Sequence, residues 1–72
     1  MIVVEMFKKP DPNIVNFNII VSLESRKKLF NESFADDLLY CAGEYLSLDK
    51  MQLYIQTSKE LATYIKIRYD QT

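Results

Sequence analysis

The segment from Ile14 to Leu23 has an apolar residue at every second position. This alternation is typical of a strand that buries one face, and its apolar members are Val15, Phe17, Ile19, Val21 and Leu23. A helix start lies just before it, because Asp11 can cap a helix and Pro12 suits the first helical position. The pattern therefore leaves residues 2–21 open between strands, a helix extension and a loose arm.

A spacing of three and four residues then predicts a first helix over about residues 22–45. The apolar positions on one face of this helix are Phe30, Phe34, Leu38, Cys41 and Tyr45. No turn signal interrupts the chain between Leu23 and Phe34. We expect this face to form the core against a neighbouring helix.

A second helix is predicted over about residues 49–69, because Asp49 followed by Gln52 fits a capping box. Beyond this start, one side of the helix carries Met51, Ile55, Ala62, Ile65 and Tyr69. The segment before it contains the only glycine, Gly43. This connection is short enough to make the two helices antiparallel neighbours.

These elements predict one small, mainly α domain over residues 1–72. Its fold is an antiparallel two-helix hairpin with an extended or irregular N-terminal arm. The arm and the proline-rich break KKPDPN cover residues 1–13. The alternative is an α+β fold with an N-terminal strand or β-hairpin, which follows if the alternation after Ile14 forms a strand.

The length of the chain limits how it can be stabilised. At 72 residues a single core rarely supplies more than roughly 3–5 kcal/mol. Cys41 is the only cysteine and histidine is absent, which excludes an intrachain disulfide and leaves no ligand set for zinc. Burial against a protein partner, or against another copy of the chain, is therefore the expected source of further stability.

Charge and hydropathy argue against two classes of protein. The net charge of −1 provides no general attraction to nucleic acid. No segment approaches the ~18 apolar residues of a membrane-spanning helix, so no membrane insertion is expected. The lone cysteine and the absence of an export signal predict a cytoplasmic protein.

No group of residues has the pattern of a catalytic or cofactor site. Cys41 lies on an apolar helical face, and the chain has no histidine to act as its base. Asp36 and Asp37 are adjacent, and adjacent positions on a helix point about 100° apart, so their carboxylates do not converge. We expect no enzyme activity, no metal and no cofactor.

The second helix has apolar and aromatic residues on more than one side, which indicates neighbours on two sides. Tyrosine is enriched at protein interfaces, and the chain has five tyrosines. The residues expected at a boundary with a protein partner are Tyr54, Leu61, Tyr64, Ile65 and Tyr69. The N-terminal arm, folded over the same side, is the alternative cover.

The segment VNFNIIVSLES, followed by SFADDLLYCAGEYL, resembles the strand and second helix of ribbon-helix-helix DNA-binding proteins. This resemblance implies that Asn16, Asn18 and Ser22 read bases. It leaves only residues 26–32 for the first helix, and the strand contains no lysine or arginine.

A second resemblance involves Ser58, Lys59, Glu60, Leu61 and Ala62. This run resembles the S-Q-E-L-D motif of Spo0E-type aspartyl-phosphate phosphatases, which are small helical hairpins. Ala62 stands where the motif has its aspartate, so the resemblance implies a phosphatase with a degenerate motif.

A third resemblance agrees best with the two-sided second helix. The turn with Gly43, followed by Tyr54, Ser58, Lys59 and Leu61 and then by Ile65 and Ile67, resembles the YscE-type co-chaperones of type III secretion needle subunits. It implies a helical hairpin that binds a larger helical chaperone and helps to keep the needle subunit soluble. The sequence thus predicts a non-enzymatic interaction module that lays an apolar helix face in a partner's groove.

Overall fold

The computed structural model describes residues 11–69, which form a three-stranded antiparallel sheet and two short α-helices. The elements in chain order are β1 (Ile14–Ser22), α1 (Leu23–Phe30), a 3₁₀ turn (Ala35–Asp37), β2 (Tyr40–Tyr45), β3 (Lys50–Ser58) and α2 (Lys59–Tyr69). The strand order is β1-β3-β2, and both outer strands are antiparallel to β3. The β1-α1-β2 unit is therefore split by β3, which is the split β-α-β arrangement of an α+β fold.

The prediction of a mainly α hairpin is wrong. Residues 14–22 form β1, which agrees with the strand interpretation of the alternation. Leu23, which that interpretation included in the strand, is instead the first residue of α1. The helix start at Asp11 is absent, because the Asp11 carboxylate accepts the Asn13 N–H at 2.9 Å in a turn. The arm predicted over residues 1–13 lies outside the described residues, except for its last three positions.

The first predicted helix, residues 22–45, is replaced by three elements. α1 ends at Phe30, where the Asn31 N–H bonds to the carbonyls of residues 27 and 28. Residues 40–45 form β2, since pairing with β3 supplies the backbone hydrogen bonds that a longer helix would have made. The expected hairpin core is consequently dispersed: Tyr45 is 72% exposed, Phe30 is exposed, and Phe34, Leu38 and Cys41 are half-buried at the edge of the true core.

The second predicted helix, residues 49–69, is a strand for half of its length. All five residues assigned to its inner side are buried, but Met51 and Ile55 lie on β3, whereas Ala62, Ile65 and Tyr69 lie on α2. A spacing of four residues returns to the same face in a helix and also in a strand. Leu53 distinguishes the two, because it is buried beside Met51 and Ile55, on the side that a helix would have turned away.

The core lies between the helices and one face of the sheet, which we call the inner face. Its paired residues are Val21 and Met51, Ile19 and Leu53, Phe17 and Ile55, and Val15 and Thr57. α1 adds Leu29 to this layer, and α2 adds Ala62, Ile65 and Tyr69. The opposite face of the sheet, the open face, has no helix packed on it among the described elements.

Gly43 lies inside β2 rather than in a turn between helices. A Cβ atom at this position would be 2.8 Å from Leu53 Cδ2 and 2.8 Å from Met51 Cε. Because Gly43 has no side chain, side chains of β3 can pack over β2. The glycine is therefore required for packing.

Each helix begins directly where a strand ends, and a serine marks each junction. Ser22 Oγ accepts the Ser25 N–H at 3.1 Å, and Ser58 Oγ accepts the Leu61 N–H at 3.2 Å. The capping box predicted at Asp49 is absent, because Asp49 lies in the β2–β3 turn. Its carbonyl instead accepts the Leu23 N–H at 3.0 Å and ties the start of α1 to the start of β3.

Candidate functional site

The five residues expected to contact a partner lie in three different places. Ile65 and Tyr69 are 0% and 2% exposed and belong to the core. Tyr54 lies on the open face of the sheet. Only Leu61 and Tyr64 lie together at the surface, on one side of α2.

Leu61 and Tyr64 line a groove of ≈ 570 Å³ beside the junction of β3 and α2. The groove also includes residues from β1, the 3₁₀ turn and the segment just before β2. Its full lining is Ile14, Asp37, Leu39, Ser58, Glu60, Leu61 and Tyr64. Leu39 is 62% exposed and Tyr64 is 42% exposed. The groove thus combines exposed apolar side chains with polar ones, which makes it a candidate binding surface.

Local packing holds both walls of this groove in place. Ser58 caps α2 and thereby sets the positions of Leu61 and Tyr64 in its first two turns. On the other wall, the buried Thr57 hydroxyl donates to the Asp37 carbonyl at 3.1 Å, and the Leu39 N–H donates to the Gln56 carbonyl at 2.9 Å.

Aromatic contacts fix the orientation of the Tyr64 ring. Phe34 meets it edge to face, with centroids 5.4 Å apart and an interplanar angle of 80°. The Arg68 guanidinium donates to the Tyr64 hydroxyl and lies 5.8 Å from the ring centroid. The ring is thus held before any ligand arrives, which lowers the entropy cost of binding.

The charge at the groove is negative. Asp37 and Glu60 both line it. Within residues 11–69 the single ion pair joins Arg68 and Glu32, at 3.1 Å, so neither groove carboxylate is paired with a cation from this part of the chain. A ligand with a positive group beside an apolar one would complement this surface.

The open face of the sheet is the second exposed surface. In its cross-strand rows Gln56 lies between Asn16 and Tyr40, and Tyr54 lies between Asn18 and Ala42. The Tyr54 hydroxyl donates to Glu44 Oε1 at 2.7 Å, and this hydrogen bond raises the pKa of Tyr54. The face is therefore mainly amide and tyrosine, and the two asparagines of the ribbon-helix-helix resemblance do lie side by side on it.

The helical folds implied by the three resemblances are not the fold of residues 11–69. The second helix of a ribbon-helix-helix protein would occupy the region where β2 lies. The two helical-hairpin families would need a helix over residues that form β3, although Ser58–Ala62 does open α2.

Reactive chemistry is sparse in the part of the chain that the structure describes. Burial raises the pKa of the Cys41 thiol, with Arg26 opposing, so the thiol stays protonated at neutral pH. Across positions 11–69, no three cysteine or carboxylate side chains lie close enough together to hold a metal ion. Asp36 and Asp37 lie in the 3₁₀ turn rather than on a long helix.

The sequence pattern does not place Asp37, Leu39 and Glu60 in a site. A signal exists for Leu39, because it lies off the apolar face predicted for residues 22–45. Glu60 is part of α2. Asp37 and Leu39 come close to α2 through the pairing of β2 with β3, which the helical pattern predicted for these segments does not contain.

Comparison with protein-family models, with curated proteins and with solved structures finds no significant match to this chain. Of the helices formed by residues 11–69, none is long and apolar enough to cross a membrane. The fold and the groove therefore define the class, a small α+β domain with an acidic, partly apolar surface groove.

Proposed function

We propose that this chain is a non-enzymatic protein–protein interaction module. Its binding surface is the groove between Leu39 on one wall and Leu61 and Tyr64 on the other. The partner supplies an apolar side chain for the groove, with a lysine or arginine beside it. The observation that carries the proposal is the combination of exposed apolar walls with two carboxylates that form no ion pair within residues 11–69.

Binding follows from the properties of the two kinds of wall residue. Covering Leu39 and Tyr64 removes apolar surface from water, which supplies the affinity. Asp37 and Glu60 accept charge-assisted hydrogen bonds from the partner's cation and determine its orientation. Because these carboxylates are at the surface, added salt weakens the complex.

The narrower role is a co-chaperone that stabilises a partner chaperone and a needle-type subunit in the cytoplasm. It rests on the family resemblance alone, which runs from Gly43 through Tyr54, Ser58, Lys59 and Leu61 to Ile65 and Ile67. The groove supports the general role of an interaction module, because that role requires only a partner segment with an apolar side chain and a basic one. The partner is therefore identified by a segment with an apolar side chain beside a basic one, whether or not that partner is a secretion protein.

The test compares two leucine-to-lysine variants of the full chain. Leu39→Lys places a charge inside the groove, whereas Leu48→Lys makes the same change at a residue that is 97% exposed in the β2–β3 turn. Wild type and both variants are used to capture proteins from a lysate of the native host, with quantification by mass spectrometry. A protein bound by wild type is expected to be recovered at least about fivefold less with Leu39→Lys, since a central interface residue contributes more than ~1 kcal/mol.

Leu48→Lys is expected to recover the same protein at the wild-type level. If Leu39→Lys captures the same proteins as wild type, the groove is not the binding surface. Circular dichroism of both variants verifies that the α+β fold is retained.

A further inference from the structure

The outer edge of β1 is open along its whole length in the part of the chain that the structure describes. β1 is the first strand in the order β1-β3-β2, so only one of its edges is paired. It has nine residues, and none of them is charged or proline. Edge strands are usually protected by a lysine, a proline, a bulge or a short length. β1 contains neither lysine nor proline, and it is long for a strand.

The opposite edge of the sheet is protected in the usual way. β2 has only six residues and contains Glu44, whose carboxylate is exposed. The two edges therefore differ: β2 is short and charged, whereas β1 is long and uncharged. An unprotected edge of this kind is a template for another strand.

The inner face of β1 is apolar on both sides of Asn18. In an antiparallel pair of two β1 strands with Asn18 opposite itself, the inner-face residues pair as Val15 with Val21 and Phe17 with Ile19. The open-face residues pair as Asn16 with Ile20 and Ile14 with Ser22. Every residue keeps its own face across the pair, because residues that oppose each other are separated by an even number of positions.

We propose that two copies of this chain associate through β1 edges related by a two-fold axis at Asn18, which joins the two sheets into one of six strands. The interface is isologous, as in most homodimers. No like charges meet in the new ladder, because β1 carries no charge. The two Asn18 side chains lie opposite each other and can exchange hydrogen bonds on the open face.

The inner side of the same edge has room for the partner's side chains. A groove of ≈ 190 Å³ lies between β1 and α2, where Val15 and Phe17 contribute apolar lining together with Ala62. Lys59 and Lys66 also line this groove, and the Lys66 ammonium is 5.9 Å from the Phe17 ring centroid. In the dimer Phe17 and Val15 lie at the seam, opposite the partner's Ile19 and Val21, which are already buried in the partner's own core. The apolar surface that the seam covers therefore belongs to the half-buried Phe17 and Val15.

The first measurement is sedimentation velocity of the full-length wild-type chain over a range of concentrations. The mass is expected to approach twice that of one chain as concentration rises. A chain that stays a monomer throughout overturns the proposal.

The second measurement tests the register with a pair of matched cysteine variants in a Cys41→Ala background. Asn18→Cys and Asn16→Cys change the same residue type, on the same strand and on the same face. At position 18 the two Cα atoms are about 4.5–5.5 Å apart, within disulfide range. At position 16 the two Cα atoms are about 13 Å apart, because they are four residues out of register.

Under mild oxidation Asn18→Cys is expected to form a covalent dimer, and Asn16→Cys is expected to remain largely uncrosslinked. Equal crosslinking of the two variants, or none at position 18, overturns the β1 pairing even if the wild type is a dimer. Leu39→Lys is expected to retain the dimer, so failure of the groove and failure of the β1 pairing are distinguishable.

Discussion

At the residue scale, the Tyr69 hydroxyl connects the end of α2 to the segment after α1. It donates to Glu32 Oε1 at 2.8 Å while its ring is almost fully buried. Glu32 also holds Arg68, whose guanidinium lies 5.6 Å from the Tyr69 ring centroid. Burial and the hydrogen bond to Glu32 raise the pKa of Tyr69 to about 12. One phenol thus fills the core and satisfies a carboxylate.

The pKa of Tyr69 predicts a loss of stability at high pH. Its folded pKa, about 12, lies above the ordinary value of 10.0. The folded state therefore binds the phenol proton more tightly than the unfolded state, and this stabilisation is complete below pH ~10 and is lost as pH rises toward ~12. Urea unfolding midpoints measured across this window are expected to fall more steeply for wild type than for Tyr69→Phe.

The Tyr69→Phe variant also provides the control, because it retains every other group that titrates at high pH. The difference between the wild-type and variant absorbance titrations at the phenolate band is expected to have its midpoint near pH 12. Identical pH dependence of unfolding in the two proteins would contradict the assignment.

At the element scale, both helices are too short to be stable alone. α1 has 8 residues and α2 has 11, whereas isolated helices need about 12–15 residues to be even marginally stable in water. They depend on packing against β1 and β3 and on the caps at Ser22 and Ser58. The backbone bond from the Lys59 N–H to the Asn13 carbonyl, at 2.7 Å, additionally anchors the start of α2 to the segment before β1.

The position of the α2 cap can be tested with two alanine variants. Ser58→Ala removes the acceptor for the Leu61 N–H and is expected to lower the free energy of unfolding by about 1 kcal/mol. Asp49→Ala is expected to change it by less than ~0.5 kcal/mol, because only an exposed hydrogen bond with Ser47 is lost. The Asp49 carbonyl that binds the Leu23 N–H is retained in the variant.

Urea denaturation of the two variants and wild type measures both effects. If Asp49→Ala lowers the free energy of unfolding more than Ser58→Ala does, the cap lies near residue 49, as the capping-box pattern predicts. Circular dichroism would then also show more helix than α1 and α2 provide.

At the scale of the whole molecule, the described residues form a layer of helices packed on a sheet, and the other face of the sheet is exposed. The helices cover the inner face of the sheet, and the open face with Tyr54 and Tyr40 is left without a helix. A chain of this size buries a small core, and association is a common way to add to it. The dimer through β1 provides such an addition.

Dimer formation predicts that stability depends on concentration. Because the dimer is favoured by mass action, the thermal midpoint is expected to rise when the chain is concentrated over about a hundredfold range. Differential scanning calorimetry measures this midpoint. The oxidised Asn18→Cys dimer is the control, since its linked subunits are expected to unfold at a midpoint that does not depend on concentration. A constant midpoint for the wild type would contradict association of folded chains.

Only part of the candidate site could be predicted from the sequence. Aromatic and apolar residues on a second side of the last helix predict Leu61 and Tyr64 at a binding surface, and these two residues lie together in the groove. The same pattern predicts Ile65 and Tyr69 there, but both are buried in the core between α2 and the sheet. Asp37 and Leu39 come from another segment, and they reach the groove because β2 pairs with β3.

Residue type and spacing in the sequence indicate much of the core, but not all of it. The alternation from Val15 to Val21 marks the inner face of β1, and the buried residues from Met51 to Tyr69 are apolar except for Thr57. Tyr45 is apolar enough to be expected in the core and is nevertheless 72% exposed. Whether a spacing of four residues becomes a helix or a strand depends on tertiary pairing. A helix makes its hydrogen bonds locally, whereas β3 is paired on one edge by its hairpin neighbour β2 and on the other edge by β1, which is distant in the chain. That pairing turns Leu53 inward beside Ile19 and places the groove next to α2.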